Sequence, residues 1–192
     1  MALLMANTSN VKEMKNGRPE SVLLKTAAGK TDGAALPNCA IVSVGDVVEG
    51  DHIREAKALA ATNAVGKFVV VAPEINVQQY RTIDGQIGKF VLEAGETYSA
   101  YELRKLDRME YSEGYFEGAS ALVVGDKVNV KAPAVNGERF VKNASGCLRV
   151  VSIVDLWMPV MLAANDGVAQ IGGQDAKLMP TSVKMIKVEV EK

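Results

Sequence analysis

The residues able to do chemistry in this chain are few. One histidine, His52, and two cysteines, Cys39 and Cys147, are all that 192 residues offer in imidazole or thiol. His52 stands between Asp51 and Ile53 after a glycine turn, with no serine or cysteine motif beside it, so no catalytic triad is written locally. The cysteines lie 108 positions apart among small or apolar neighbours, without a C-x-x-C pair or an adjacent histidine to complete a metal site. They read as reduced and buried. Glu110, Glu113 and Glu117 cluster closely enough to flank a substrate as acid and base, although charged residues on exposed strand faces account for them better. Gly29-Lys30-Thr31 ends like a phosphate-binding loop, but position 24, where that loop needs its first glycine, is leucine. Gly172-Gly173-Gln174-Asp175 lacks the dinucleotide spacing and reads as a loop. The expectation is a protein that is not an enzyme, with no cofactor and no metal.

Composition narrows the classes further. A chain of this length that is 48% hydrophobic can bury a real core as one domain or two small lobes. Its 22 basic and 23 acidic residues are interspersed, so there is no basic stripe to neutralise phosphates, and nucleic acid is not the expected partner. The opening Met1-Ala2-Leu3-Leu4-Met5-Ala6 lacks the basic flank and length of a secretory signal and is too short to span a bilayer, so no membrane association is expected. It reads either as a frayed terminus or as a sticky arm that docks on a neighbour.

The elements that must carry these residues are strands. Val44-Gly45-Asp46-Val47-Val48 and Val124-Gly125-Asp126-Lys127-Val128 echo one another, each placing a turn-forming pair before valines, as the strand of a small barrel begins. Ser21 to Leu24, Ala40 to Glu49, Lys67 to Ala72, Asp126 to Ala132, Gly137 to Val141, Leu148 to Val154 and Ser182 to Val190 read as strands, bounded by Gly, Asn, Pro or Ser. Two stretches conflict with that pattern. Ile53 to Ala61 favours helix by propensity in a β context, and Ser99-x-x-Glu102 resembles a capping box while Tyr98 and Tyr101 suit a strand. The expected fold is mainly β, an antiparallel barrel or sandwich with at most one or two short helices. Residues 1–20 form an extended N-terminal arm and 21–192 a β-rich domain, with a division into two small lobes near residue 105 left open.

A family resemblance runs from Ala6 to Val154. It is carried in order by Asn7-Thr8-Ser9-Asn10-Val11-Lys12-x-Met14-Lys15, Val44-Gly45-Asp46-Val47-Val48-Glu49-Gly50, Val69-Val70-Val71-Ala72-Pro73-Glu74, Phe90-Val91-x-Glu93-Ala94-Gly95-Glu96 and Ala100-Tyr101-Glu102-Leu103. This succession resembles the small head-decoration, or capsid-cement, proteins of tailed bacteriophages. Two departures stand out: Leu106-Asp107 replaces a Gly-Asp pair at the second strand opening, and the chain continues for 38 residues beyond Val154. The resemblance implies a structural protein on the exterior of the virion capsid, assembled in the host cytoplasm. It would bind the assembled major capsid protein, stabilise the shell, and work as a homo-oligomer, a trimer among the options. Contact with the shell or between subunits falls to Met1, Leu3, Leu4 and Met5 in the arm and to Trp157, Met158 and Met161, since aromatic and Met side chains are enriched at interfaces. The alternatives are a phage tail or fibre component, and a small-molecule-binding β-barrel in which His52, Glu110, Tyr111 and Tyr115 line a pocket. Less favoured is an oligonucleotide-binding barrel that stacks bases on Tyr98, Tyr101, Tyr111, Tyr115 and Phe116.

Overall fold

The computed structural model describes residues 19–25, 36–48, 52–58, 62–72, 91–92, 95–131, 139–161 and 178–192. Alternation of β-branched and polar residues produces strands along both halves of the chain. The first half gives β1 (Pro19–Lys25), β2 (Leu36–Pro37), β3 (Ile41–Val47), β4 (Arg54–Ala58), β5 (Phe68–Val71), β6 (Val91–Leu92) and β7 (Thr97–Glu102). From the second come β8 (Arg108–Ser112), β9 (Phe116–Glu117), β10 (Lys127–Val130), β11 (Phe140–Lys142), β12 (Leu148–Met161) and β13 (Leu178–Val190). The fold is mainly β, as expected, and the described helical residues form only 3₁₀ turns, Glu113–Tyr115 and Ala119–Ala121.

Five strands of the first half close a barrel in the order β1-β4-β3-β5-β7, with β7 pairing back to β1. Every pair is antiparallel except β1 with β4. So narrow a barrel leaves room only for small inward side chains, and Val22, Val42, Ala56, Val70 and Ala100 fill it, all fully buried. Their chain neighbours Ile41 and Val69 point the other way, into a second core. There they meet a six-stranded sheet, ordered β8-β13-β12-β10-β11-β9, through Met109, Tyr111, Val128, Phe140, Leu148, Ile186 and Val188. The two sheets meet in sequence at the turn between β7 and β8.

The structure decides two stretches that the sequence left ambiguous and corrects one expected turn. Arg54–Ala58, at the centre of the helix-favouring stretch, is a strand between β1 and β3, because two ladders of backbone hydrogen bonds outweigh a propensity of a few tenths of a kcal/mol per residue. Gly45-Asp46 is no tight turn: β3 runs through it, and the register against β4 slips between Val44 and Val47, with Arg54 Nε donating to the Gly45 carbonyl at 3.0 Å. Ser99 and Glu102 cap no helix and lie in β7, paired with β1 and β5.

Candidate functional site

The two sheets are joined by side chains that sequence reasoning had offered as a pocket. Tyr111 and Tyr115 are buried, with ring centroids 5.0 Å apart. The Tyr111 hydroxyl donates to the Cys39 carbonyl at 2.9 Å and that of Tyr115 to the Asn38 carbonyl at 2.8 Å. Arg139, 1% exposed, adds a third donor, Nη2 to the Ile41 carbonyl at 3.3 Å. Three side chains from the second half of the chain therefore grip one short stretch, residues 38–41, that leads into β3. Burial drives the Tyr111 hydroxyl well above the ordinary phenol range and lowers Arg139. His52 is exposed in the turn after β3, at the far end of that strand from the tyrosines, and does not join them. Phe116 packs against Phe140 at 5.0 Å in the same core, so Tyr111, Tyr115 and Phe116 offer no face to a base. Glu117 is ion-paired with Lys131 at 2.7 Å. Both cysteines are buried as thiols, and burial raises Cys147. Among the described residues no three His, Cys, Asp or Glu side chains gather as metal ligands.

Two surfaces remain. The first is built by three copies of one turn, and the sequence echo had paired the wrong segments. Gly66, Leu106 and Gly125 share a left-handed backbone at φ +75°, +76° and +97°. The residue after each closes a tight turn: Lys67 N–H to Ala64, Asp107 N–H to Arg104 and Asp126 N–H to Val123, all at 3.1 Å. Each left-handed residue then bonds one residue of a neighbouring strand, which bonds back past it. Gly66 N–H donates to the Leu103 carbonyl at 3.0 Å, Leu106 to Val190 at 2.8 Å and Gly125 to Val150 at 2.8 Å. Leu103, Val190 and Val150 return the bond to Lys67, Asp107 and Asp126. These are glycine-type bulges that open β5, β8 and β10. In two of them the aspartate also caps the turn, Asp107 Oδ2 accepting from Arg104 N–H at 2.7 Å and Asp126 Oδ2 from Val123 N–H at 2.9 Å. The true sequence twins are Leu103-x-x-Leu106-Asp107 and Leu122-x-x-Gly125-Asp126, a spacing visible in the chain once glycine is not required at the fourth position.

The tips of these turns are apolar and exposed: Val65 at 40%, Leu106 at 65%, Val123 and Val124 at 60% each. Lys67, Arg104 and Lys105 stand beside them, with Arg104 paired to Glu102 at 3.8 Å.

The second surface is the hairpin of β12 and β13, paired from Leu148↔Val190 to Met161↔Leu178 with one bulge between Val150 and Ser152. β10 covers only its first residues, at Leu148 and Arg149, and β8 reaches only from Glu189 to Met185. Beyond that, among the described residues, the hairpin pairs with itself alone, over a length of about 24 Å for the seven residues from Lys184 to Leu178. Trp157, Met158 and Met161 lie on this ribbon, opposite Ser182, Thr181 and Leu178. Val154 and Leu156, next to them, are 54% and 44% exposed. Met1, Leu3, Leu4 and Met5 lie outside the described residues, as does the arm to residue 18, while Pro19 and Glu20 already pair with β7.

No family model matches the chain, and neither a curated protein nor a solved structure does.

Proposed function

We propose that this protein is a structural component of a virion that seats on the exterior of an assembled shell of major capsid protein and stabilises it, acting as a homo-oligomer. The observation that carries the reading is the β12–β13 ribbon. It leaves a filled body, and from Leu156 to Met161 and from Leu178 to Ser182 it carries no charged residue. An extended apolar ribbon on a rigid β support suits adhesion to other subunits, where repeated modest contacts add through avidity. The same observations weigh against the small-molecule barrel, whose interior is occupied by Val22, Val42, Ala56, Val70 and Ala100 and whose proposed lining tyrosines are tied to carbonyls. Co-sedimentation of the full chain with empty shells tests the reading. Saturable binding at a fixed ratio per capsomer, with a raised melting temperature of the shell, is the expected result. Absence of binding to any shell would transfer the assignment to a tail or fibre component.

A further inference from the structure

We infer that the arm ahead of β1 folds back on its own chain and lays Met1-Ala2-Leu3-Leu4-Met5-Ala6 over Met185 and Val183, as a strap across the outer face of the second sheet.

Alternation sets that face. On β13, Val190, Val188 and Ile186 point into the core, so Glu189, Lys187, Met185 and Val183 share the opposite face. One half of it is charged, where Arg108 and Arg149 meet Glu189. The other half is apolar, and its cross-strand pairs are buried unequally. Met185 lies opposite Val154 and Val183 opposite Leu156. Met185 and Val183 are each 4% exposed, whereas Val154 and Leu156 stand at 54% and 44%. On the far side of β13, Ser112 of β8 is paired with Met185 and fully buried. The cover therefore sits over β8 and β13 and stops short of β12. Neither hydrophobic core of the described residues takes in Met185 or Val183, which leaves the rest of the chain to supply their apolar cover.

Direction and length favour the arm. β1 and β7 are antiparallel, with Pro19 beside Tyr101 and Leu23 beside Thr97. The chain thus enters β1 from the end of β7 that leads on through Leu103 and the turn at residues 104–107 into β8. Tyr101 and Ser112 are eleven residues apart, at most about 40 Å, and a strand-to-strand step of about 5 Å at either end puts Met185 within about 50 Å of Pro19. Met5, fourteen residues before Pro19, spans about that distance when extended, and the tight turn shortens the path.

Composition separates the arm from its rivals. Residues 1–6 are six consecutive apolar residues, and no loop outside the described residues has a run of more than four. Those loops also leave the body and rejoin it, which halves their reach, and residues 162–177 start from the far end of the ribbon. A strap so placed hides both the strip and the apolar end of the arm in the free chain, which limits non-specific contacts. It stands apart from the capsid reading, which co-sedimentation with shells scores by itself.

Met185 is its own probe. Peroxide oxidises accessible methionine to the sulfoxide, and Met109, buried in the core, serves as the internal control. In the full-length wild type both are expected to resist oxidation alike. In Leu3→Asp/Leu4→Asp, Met185 is expected to react roughly tenfold faster while Met109 keeps its rate. A Met185 no more reactive in the variant than in the wild type would overturn the inference. A second measurement needs no variant: photo-methionine is incorporated into an equimolar mixture of isotopically heavy and light full-length chains, and cross-links from residue 185 are mapped by mass spectrometry. Links to residues 1–12 of the same chain are expected. Links confined to residues 73–90 or 162–177, or joining a heavy chain to a light one, would overturn it as well.

Discussion

Glu189 shows how a single carboxylate can organise a sheet face. Its side chain is 4% exposed and is shared by two arginines, Arg108 Nε and Nη2 on Oε2 at 2.9 Å each and Arg149 Nη2 on Oε1 at 2.8 Å. The hydrogen bond from Arg108 is the chief reason its carboxyl titrates below the ordinary glutamate range, with Arg149 adding to it. A depressed native value means that the stabilisation is fully present above the unfolded value near 4.3 and is lost as pH falls through the native one. Glu189→Gln should therefore cost about 2 kcal/mol at neutral pH, and the gap in melting temperature from wild type should narrow at pH 3. An equal gap at both pH values would mean that packing, not charge, holds this position. Little of this was legible beforehand. The alternation of the last strand placed Glu189 on one face, but the arginines reach it from residues 40 and 81 positions away. Leu106 was legible only as a departure from a Gly-Asp pair, since nothing in its type announces a left-handed backbone.

At the scale of elements, strands were read well where β-branched runs were bounded by turns and badly where proline intervened. The expected strands Leu148 to Val154 and Ser182 to Val190 stop short of Pro159 and Pro180, yet both ladders continue through them to Met161 and Leu178. Proline breaks a strand when its missing N–H belongs to the ladder. Here both prolines sit where the N–H would point away from the partner strand. Replacing both with valine should restore two outward donors to the ribbon and increase aggregation, scored by light scattering on heating, without lowering the melting temperature. Unchanged scattering would show that the ribbon's edges are protected by something other than proline. Arg54–Ala58, where helix propensity stood against a β context, resolved toward the strand: its helix-favouring composition was genuine, and pairing on both sides overrode it.

At the scale of the whole molecule, the weight rests on the junction where Tyr111, Tyr115 and Arg139 meet the carbonyls of Cys39, Asn38 and Ile41. Arg139 is the odd member, because its Nε and Nη1 are buried without a hydrogen-bond partner among the described residues. An unsatisfied buried guanidinium costs more than its single bond returns, so Arg139→Met should leave stability unchanged or raise it by about 1–3 kcal/mol in chemical denaturation. A loss of that size would instead make the bond to Ile41 indispensable to the joint. The sequence left a division near residue 105 open; the last barrel strand ends at Glu102 and the second sheet begins at Arg108. The joint itself was not legible, because tyrosine and arginine types do not reveal which distant carbonyls they will meet.

The way β1 closes the barrel also sets the order in which the protein can come into being. Val22 finds one neighbour at Arg54 and the other at Tyr98, so a chain emerging from a ribosome carries β1 unclosed until Glu102 has followed it. β8 waits longer still, since Arg108 pairs with Glu189. Each sheet depends on the last of its strands to be made, so neither can close until that strand has emerged.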